Sequence, residues 1–320
     1  MKLDMQVLLA QPRGFCAGVD RAIEIVERAL DLYGAPVYVL HEIVHNRYVV
    51  DDLSRRGVKF IDSLEEVPEG SVTIFSAHGV AEEVVQRGVA RKLRVIDATC
   101  PLVTKVHLQA QAYRRDGREV VLIGHPGHPE VEGTRGRIDG PVHVLSTVAE
   151  VERLVVGDPH KLAYVTQTTL SVDDTREVID ALVRRFPAIK GPELKDICYA
   201  TQNRQAAVKE IAARCDLLIV VGSGNSSNSV RLVEVGLESG ARSAHRIDGV
   251  SELREEWLEG VGTVGVTSGA SVPEVLVEGV LGWLAERGFG DVEEVTSAEE
   301  TLVFALPPEL RRDIKAAAAT

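Results

Sequence analysis

An α/β fold with mainly parallel sheets, arranged as three similar units, is what this sequence predicts. Three observations predict it. Short Val- and Ile-rich runs alternate with amphipathic segments, a triplet of polar positions recurs three times at the ends of such runs, and a cysteine opens each triplet. The apolar runs are residues 6–10, 37–40, 72–75, 95–96, 120–123, 162–165, 217–221 and 261–266. Continuous aliphatic runs this short suit strands buried on both faces, as in parallel sheets covered by helices. Amphipathic segments such as residues 21–30 and 205–214 supply the covering helices.

Composition bounds the rest. A chain of 320 residues exceeds one usual core, so two or three domains of roughly 100 residues are expected. Forty-eight acidic against 36 basic residues leave a net charge of −12 without a long block of either sign, which argues against a nucleic-acid partner. Only 4% of residues are aromatic against 45% hydrophobic, so the core must be aliphatic. The first ten residues lack the apolar region of a signal peptide, and no apolar stretch approaches about 18 residues, so a soluble, cytoplasmic protein without a membrane segment is expected. Four cysteines are too few for a disulfide scaffold, and a reducing cytosol would keep them as thiols.

The triplets place these thiols. First comes the cysteine: Cys16 in Gly14-Phe15-Cys16-Ala17-Gly18, Cys100 in Ala98-Thr99-Cys100-Pro101, and Cys198 in Asp196-Ile197-Cys198-Tyr199-Ala200. About thirty residues later comes a polar loop, His45-Asn46, then His128-Pro129-Glu130, then Ser226-Ser227-Asn228. A third junction follows: His78-Gly79, Thr168-Thr169 and Ser271. Boundaries near residues 98 and 197 follow, giving domains 1–98, 99–197 and 198–320 with no flexible linker between them. Capping boxes are expected at Ser171-Val172-Asp173-Asp174 and Ser271-Val272-Pro273-Glu274.

Around a shared axis, Cys16, Cys100 and Cys198 would converge as three thiolates without a fourth. Cys215, in Ala213-Arg214-Cys215-Asp216-Leu217, stands outside the repeat and reads as a small core residue. Three thiolates suit either a [4Fe–4S] cluster with one open iron or a zinc ion with a water, and spacing chooses neither. Helix amino ends favour the thiolate form.

His45, His78, His128, Thr168, Ser226, Ser227, Asn228 and Ser271 form a set of donors suited to an anion such as a diphosphate. Taken singly, Ser226, Asn228 and Ser271 read as helix caps. The off-repeat histidines His41, His107, His125, His143, His160 and His245 read as solvated or structural. Glu130, beside a negatively charged cofactor and an anionic substrate, would hold its proton and serve as a general acid, or it simply starts a helix. On the residues alone a cluster enzyme, a non-catalytic cluster carrier or sensor, and a zinc hydrolase with Glu130 as base all stand open. The anion donors favour the enzyme.

From about Met5 to about Ile314 the chain resembles the 4-hydroxy-3-methylbut-2-enyl diphosphate reductase family of LytB type. The motifs are Pro12-Arg13-Gly14-Phe15-Cys16-Ala17-Gly18-Val19, Val44-His45-Asn46, Ser76-Ala77-His78-Gly79, Asp97-Ala98-Thr99-Cys100-Pro101, Gly124-His125, His128-Pro129-Glu130, Thr166-Gln167-Thr168-Thr169-Leu170-Ser171, Cys198-Tyr199-Ala200-Thr201, Asn225-Ser226-Ser227-Asn228-Ser229 and Gly269-Ala270-Ser271. The resemblance implies a trefoil of three α/β domains around a [4Fe–4S] cluster held by Cys16, Cys100 and Cys198. The remaining iron would be open and act as a Lewis acid on the substrate hydroxyl. It further implies that His45, His78, Ser226, Ser227, Asn228 and Ser271 hold a diphosphate with His128 beside it, and that Glu130, with Thr168, relays protons. The implied reaction is the last step of non-mevalonate isoprenoid synthesis: an allylic diphosphate is reduced to isopentenyl and dimethylallyl diphosphate. Electrons would come from a donor such as ferredoxin or flavodoxin. Residues 316–320 fall outside the resemblance and are expected to fray.

Overall fold

The computed structural model describes residues 5–318, so residues 1–4 and 319–320 of the terminal runs lie outside it. Its strands are β1 (Gln6–Gln11), β2 (Val37–Leu40), β3 (Val58–Ile61), β4 (Val72–Phe75), β5 (Arg94–Asp97), β6 (Glu119–Ile123), β7 (Val142–Leu145), β8 (Leu162–Thr166), β9 (Leu217–Val221), β10 (Ser243–Ile247), β11 (Thr263–Ser268) and β12 (Asp291–Thr296). They form three sheets, ordered β10-β9-β11-β1-β12, β3-β2-β4-β5 and β7-β6-β8. Neighbouring strands run parallel in all three. The fold is therefore mixed α/β with three parallel sheets, as the alternating pattern predicted.

The chain divides into two compact units. One contains the described part of Met1–Cys16, with His45–Val49 and Tyr199–Leu302, and so the five-stranded sheet; the other contains Ala17–Val44, Val50–Cys198 and the described part of Val303–Thr320, and so the two smaller sheets. The strands of the four-stranded sheet lie within residues 37–97 and those of the three-stranded sheet within 119–166, on either side of the boundary expected near 98. β1 departs from that division. It lies between β11 and β12, with Gln6 opposite both Thr263 and Asp291.

The side chains of β1 explain its interior place. Val7 and Leu9 enter one aliphatic cluster with Val264, Val266 and Val277, while Leu8 and Ala10 enter the cluster on the opposite face with Val208, Ile211 and Val220. A strand apolar on both faces is stable only where both faces are covered, each such large side chain contributing roughly 2 kcal/mol.

The same placement recurs. In each sheet the segment that leads to a cysteine lies beside the strand that leads to a third-position loop. β1, before Cys16, pairs with β11, before Ser271. β5, before Cys100, pairs with β4, before His78. Lys190, upstream of Cys198, bridges in parallel to Ala163 in β8, before Thr168. Each cysteine is thus carried by the sheet of the preceding repeat, the first by the sheet of the last. The helix Pro308–Ala317 runs into the tail expected to fray. Among the described residues no helix is long and apolar enough to cross a membrane.

Candidate active site

In the unit with the two smaller sheets, six predicted site residues form one connected series. His128 caps the helix Pro129–Arg135, its Nδ1 accepting from the Glu130 amide at 3.1 Å. That acceptor role puts the proton of a neutral ring on Nε2, which makes Nε2 a donor. Glu130 is 3% exposed. The Thr168 amide donates to its Oε1 at 2.6 Å, and the Thr168 hydroxyl lies 2.9 Å from its Oε2.

Burial pushes the Glu130 carboxyl up to about 7, with Asp196 adding to the rise and the Thr168 bonds opposing it. The carboxyl therefore keeps its proton to a pH far above the ordinary carboxylate range. This raised value needs no negatively charged cofactor or substrate nearby, because desolvation is its first cause.

From Thr168 the series continues through its carbonyl, which accepts from the Cys198 amide at 3.0 Å. In the other direction the His78 ring stands edge-on to His128, their centroids 6.1 Å apart, and His78 Nδ1 lies 3.2 Å from the Ser76 hydroxyl. Ala77, next to His78, accepts from the Cys100 amide at 2.9 Å. The following turn needs Gly79: its φ is +78°, and a Cβ there would approach the His107 ring to 2.7 Å. His107 is the buried platform under this loop. Burial pushes its imidazole down to about 4, consistent with a structural part.

The other unit gathers Cys16, His45, Ser226, Ser227, Asn228 and Ser271. Gly14, at φ +68°, turns the loop before Cys16 and donates to the Ser268 hydroxyl at 2.8 Å. The Cys16 amide donates to the Ala270 carbonyl at 3.2 Å. Ser226 caps the helix Ser227–Glu238 by accepting from the Ser229 amide at 3.3 Å. Asn225 Nδ2 lies 3.4 Å from His45 Nδ1.

The capping box expected at Ser271 does not form. Pro273 occupies the cap position, which starts the helix at Glu274 and leaves the Ser271 hydroxyl to donate to the His45 carbonyl at 2.9 Å. Ser171 does cap its helix, accepting from the Asp174 amide at 3.2 Å. Asn228 is the most telling residue here. It is 4% exposed, yet neither its Nδ2 nor its Oδ1 has a hydrogen-bond partner among the described residues. A buried amide is not normally left so, because each unmade bond costs about 1–3 kcal/mol.

Three polar residues outside the predicted site set build these loops. Ser223 accepts from the Arg47 amide at 3.1 Å, Ser76 lies against His78, and Asp196 is 2% exposed and accepts from the Thr166 amide at 3.3 Å. Ser76 and Asp196 each stand two residues before a repeat position, a signal that was available. Cys215 stands apart from the other cysteines. It is 5% exposed, and burial pushes its thiol up to about 11.

A family model described as LytB protein matches residues 7–285. The chain belongs to the LytB family. LytB-family relatives named 4-hydroxy-3-methylbut-2-enyl diphosphate reductase include a protein of Acidothermus cellulolyticus, 58% identical over 311 residues, which covers 97% of this chain and 92% of the relative. One from Hahella chejuensis is 60% identical over 311 residues, covering 96% and 98%. Among solved structures, the E-1-hydroxy-2-methyl-but-2-enyl-4-diphosphate reductase from Plasmodium falciparum superposes with a TM-score of 0.95 at 38% identity, covering 98% of this chain and 99% of that one.

Membership in the LytB family implies an iron–sulfur cofactor, and the chemistry of the cysteines fits one. Among the described residues Cys16, Cys100 and Cys198 are in no disulfide and only partly buried, and each immediately precedes a helix, Ala17–Tyr33, Pro101–Arg115 or Tyr199–Ala212. Each amide is already bound to a loop carbonyl, and a helix amino end favours a thiolate over a thiol. Among the described residues no three His, Cys, Asp or Glu side chains gather as a metal site within either unit.

Proposed function

We propose that this chain catalyses the reductive removal of the hydroxyl group of (E)-4-hydroxy-3-methylbut-2-enyl diphosphate, giving isopentenyl and dimethylallyl diphosphate. Two electrons and two protons enter, the C–O bond breaks, water leaves, and one proton ends on carbon. Cys16, Cys100 and Cys198 hold a [4Fe–4S] cluster through three thiolates, leaving one iron without a protein ligand. A cluster bound there would supply single electrons and a Lewis acid for the hydroxyl oxygen. A small redox protein such as ferredoxin or flavodoxin delivers those electrons.

The remaining work belongs to the chain. His45, His78, Ser226, Ser227, Asn228 and Ser271 bind the diphosphate, with His128 donating from Nε2 beside it. Asn228 brings an amide whose hydrogen bonds are unmade among the described residues, so an anion would gain them at little cost in displaced contacts. Glu130 carries the proton to the departing hydroxyl, and Thr168 holds both carboxyl oxygens so that the proton sits at a fixed point.

The observation that carries this reading is Glu130, a buried carboxyl held near neutral pKa in a chain of the LytB family. The test is anaerobic turnover of the diphosphate with reduced methyl viologen after iron–sulfur reconstitution. Formation of both five-carbon diphosphates is expected. No turnover from a fully loaded protein would overturn the reading in favour of a cluster carrier.

A further inference from the structure

Each helix opened by one of the three cysteines carries a cation within its second turn: Arg21 lies five residues after Cys16, Lys105 five after Cys100 and Arg204 six after Cys198. Each reaches the backbone just before the next cysteine, and the last returns to the first. Arg21 Nη1 donates to the carbonyls of Ala98 and Thr99 at 3.3 and 3.1 Å, ahead of Cys100. Lys105 Nζ donates to the carbonyl of Lys195 at 2.8 Å and lies 3.5 Å from Asp196, ahead of Cys198. Arg204 donates to the carbonyl of Gly14 at 2.6 Å and to that of Phe15 at 3.4 Å, ahead of Cys16. Its side chain is fully buried and paired with Glu300 at 3.0 Å.

Two of these contacts complete a pattern. The Phe15–Cys16 peptide has its carbonyl held by Arg204 and its N–H held by Ala270. The Thr99–Cys100 peptide has its carbonyl held by Arg21 and its N–H by Ala77. A planar peptide gripped at both ends cannot rotate, so it fixes the direction in which the cysteine leaves the backbone. Ahead of Cys198 the cation holds a carbonyl two peptides earlier, and its side chain is 47% exposed, so the grip there is looser.

We infer that Arg21, Arg204 and, more weakly, Lys105 are positioning residues for the cysteines, a threefold repeated clamp that aims each thiolate. This rests on the proposal that Cys16, Cys100 and Cys198 hold the cluster. An arginine serves better than a lysine because one nitrogen of its planar fork holds the two carbonyls while another is anchored elsewhere, Arg21 Nε on the Ala305 carbonyl at 2.8 Å and Arg204 Nη1 on Glu300 at 3.0 Å. Supporting groups of this kind typically change metal retention by about 10–100-fold when removed.

The test is iron loss from the reconstituted protein to a chelator, together with the electron paramagnetic resonance spectrum of the one-electron-reduced cluster and melting of the metal-free chain. Arg21→Met and Arg204→Lys should lose iron about 10-fold faster with an altered spectrum, Lys105→Met within about threefold of the parent. Arg204→Lys keeps a cation opposite Glu300, and Arg21→Lys should recover part of the loss. Melting of the metal-free chain should hold in these variants, which separates aim from folding. Parental iron loss and an unaltered spectrum in Arg21→Met and Arg204→Lys would overturn the clamp alone, provided Cys16→Ser fails to hold the cluster. A Cys16→Ser variant that keeps the complete cluster would bring down the ligand assignment and this inference with it.

Discussion

Two buried side-chain groups at equivalent repeat positions, Glu130 in one compact unit and Asn228 in the other, end in opposite hydrogen-bonding states. In one, both oxygens of Glu130 are engaged by Thr168, and His128 is engaged by the Glu130 amide. In the other, Asn228 is as buried as Glu130, but its amide has no partner among the described residues. A buried group whose bonds are all made keeps its position and has its proton affinity set by the surroundings. A buried group whose bonds are unmade is poised to receive something. The first state suits proton transfer and the second suits recognition of an anion.

The largest expected effect concerns what both groups serve. Cys100→Ser should lose the cluster and all turnover, because a serine hydroxyl does not ionise to replace a thiolate. Iron and sulfide analysis of the reconstituted variant checks it, and a complete cluster would remove Cys100 from the ligands.

Next comes the proton. Glu130→Gln should lower kcat by about 10²–10⁴-fold with KM little changed, since the isosteric amide keeps the shape and loses the acid. Its pH dependence follows from the raised pKa. A carboxyl that must be protonated, with a pKa of about 7, makes kcat/KM fall as pH rises above 7, and Glu130→Gln should lack this limb. The same shift acts on stability. Between the ordinary value of 4.5 and about 7 the folded chain binds more protons than the unfolded, so stability falls as pH rises through that window. Metal-free Glu130→Gln should show a smaller decline in melting temperature over the same range; an equal decline would mean that Glu130 does not titrate there.

How much of this was legible depended on burial. The apolar runs marked the interior strands β1, β2, β4, β6, β9 and β11, and also reached β5 and β8, while β3, β7, β10 and β12 were missed. Every missed strand is an edge. β12 is exposed along most of its length and β10 is half-buried, so neither needs a continuous aliphatic run. The candidate site positions stood out in the sequence because a threefold repeat makes separate residues point to one another. The role of Ser271 was misread locally, since Pro273 moves the helix start and frees the hydroxyl for the His45 carbonyl. The cause of the raised Glu130 pKa was hidden too, because desolvation is a property of packing that no motif states.

Asn228→Ala sharpens the contrast from the recognition side. Loss of a hydrogen bond to a charged phosphate should raise KM about 10–100-fold and leave kcat largely intact. The substrate-free chain should melt no lower than the parent, because the substitution removes buried polar atoms that have no partner among the described residues. A destabilised variant with parental KM would make Asn228 a structural residue and erase the difference between the two groups.

The smallest effect is expected at Cys215, which tests whether position and not residue type makes a cysteine a ligand. Its thiol packs in an aliphatic cluster with Ile211 and Leu218, its Sγ 3.5 Å from the Ala212 carbonyl. With a pKa of about 11 it stays protonated at neutral pH and offers no thiolate to a metal. Cys16, Cys100 and Cys198 instead stand partly exposed at helix amino ends. Cys215→Ala should therefore keep its iron and its turnover within about twofold, and lose about 1 kcal/mol of stability from the small void left behind. Loss of iron would show that burial in an apolar cluster does not exclude a cysteine from the cofactor, which would weaken the same reasoning where it was used to choose the other three.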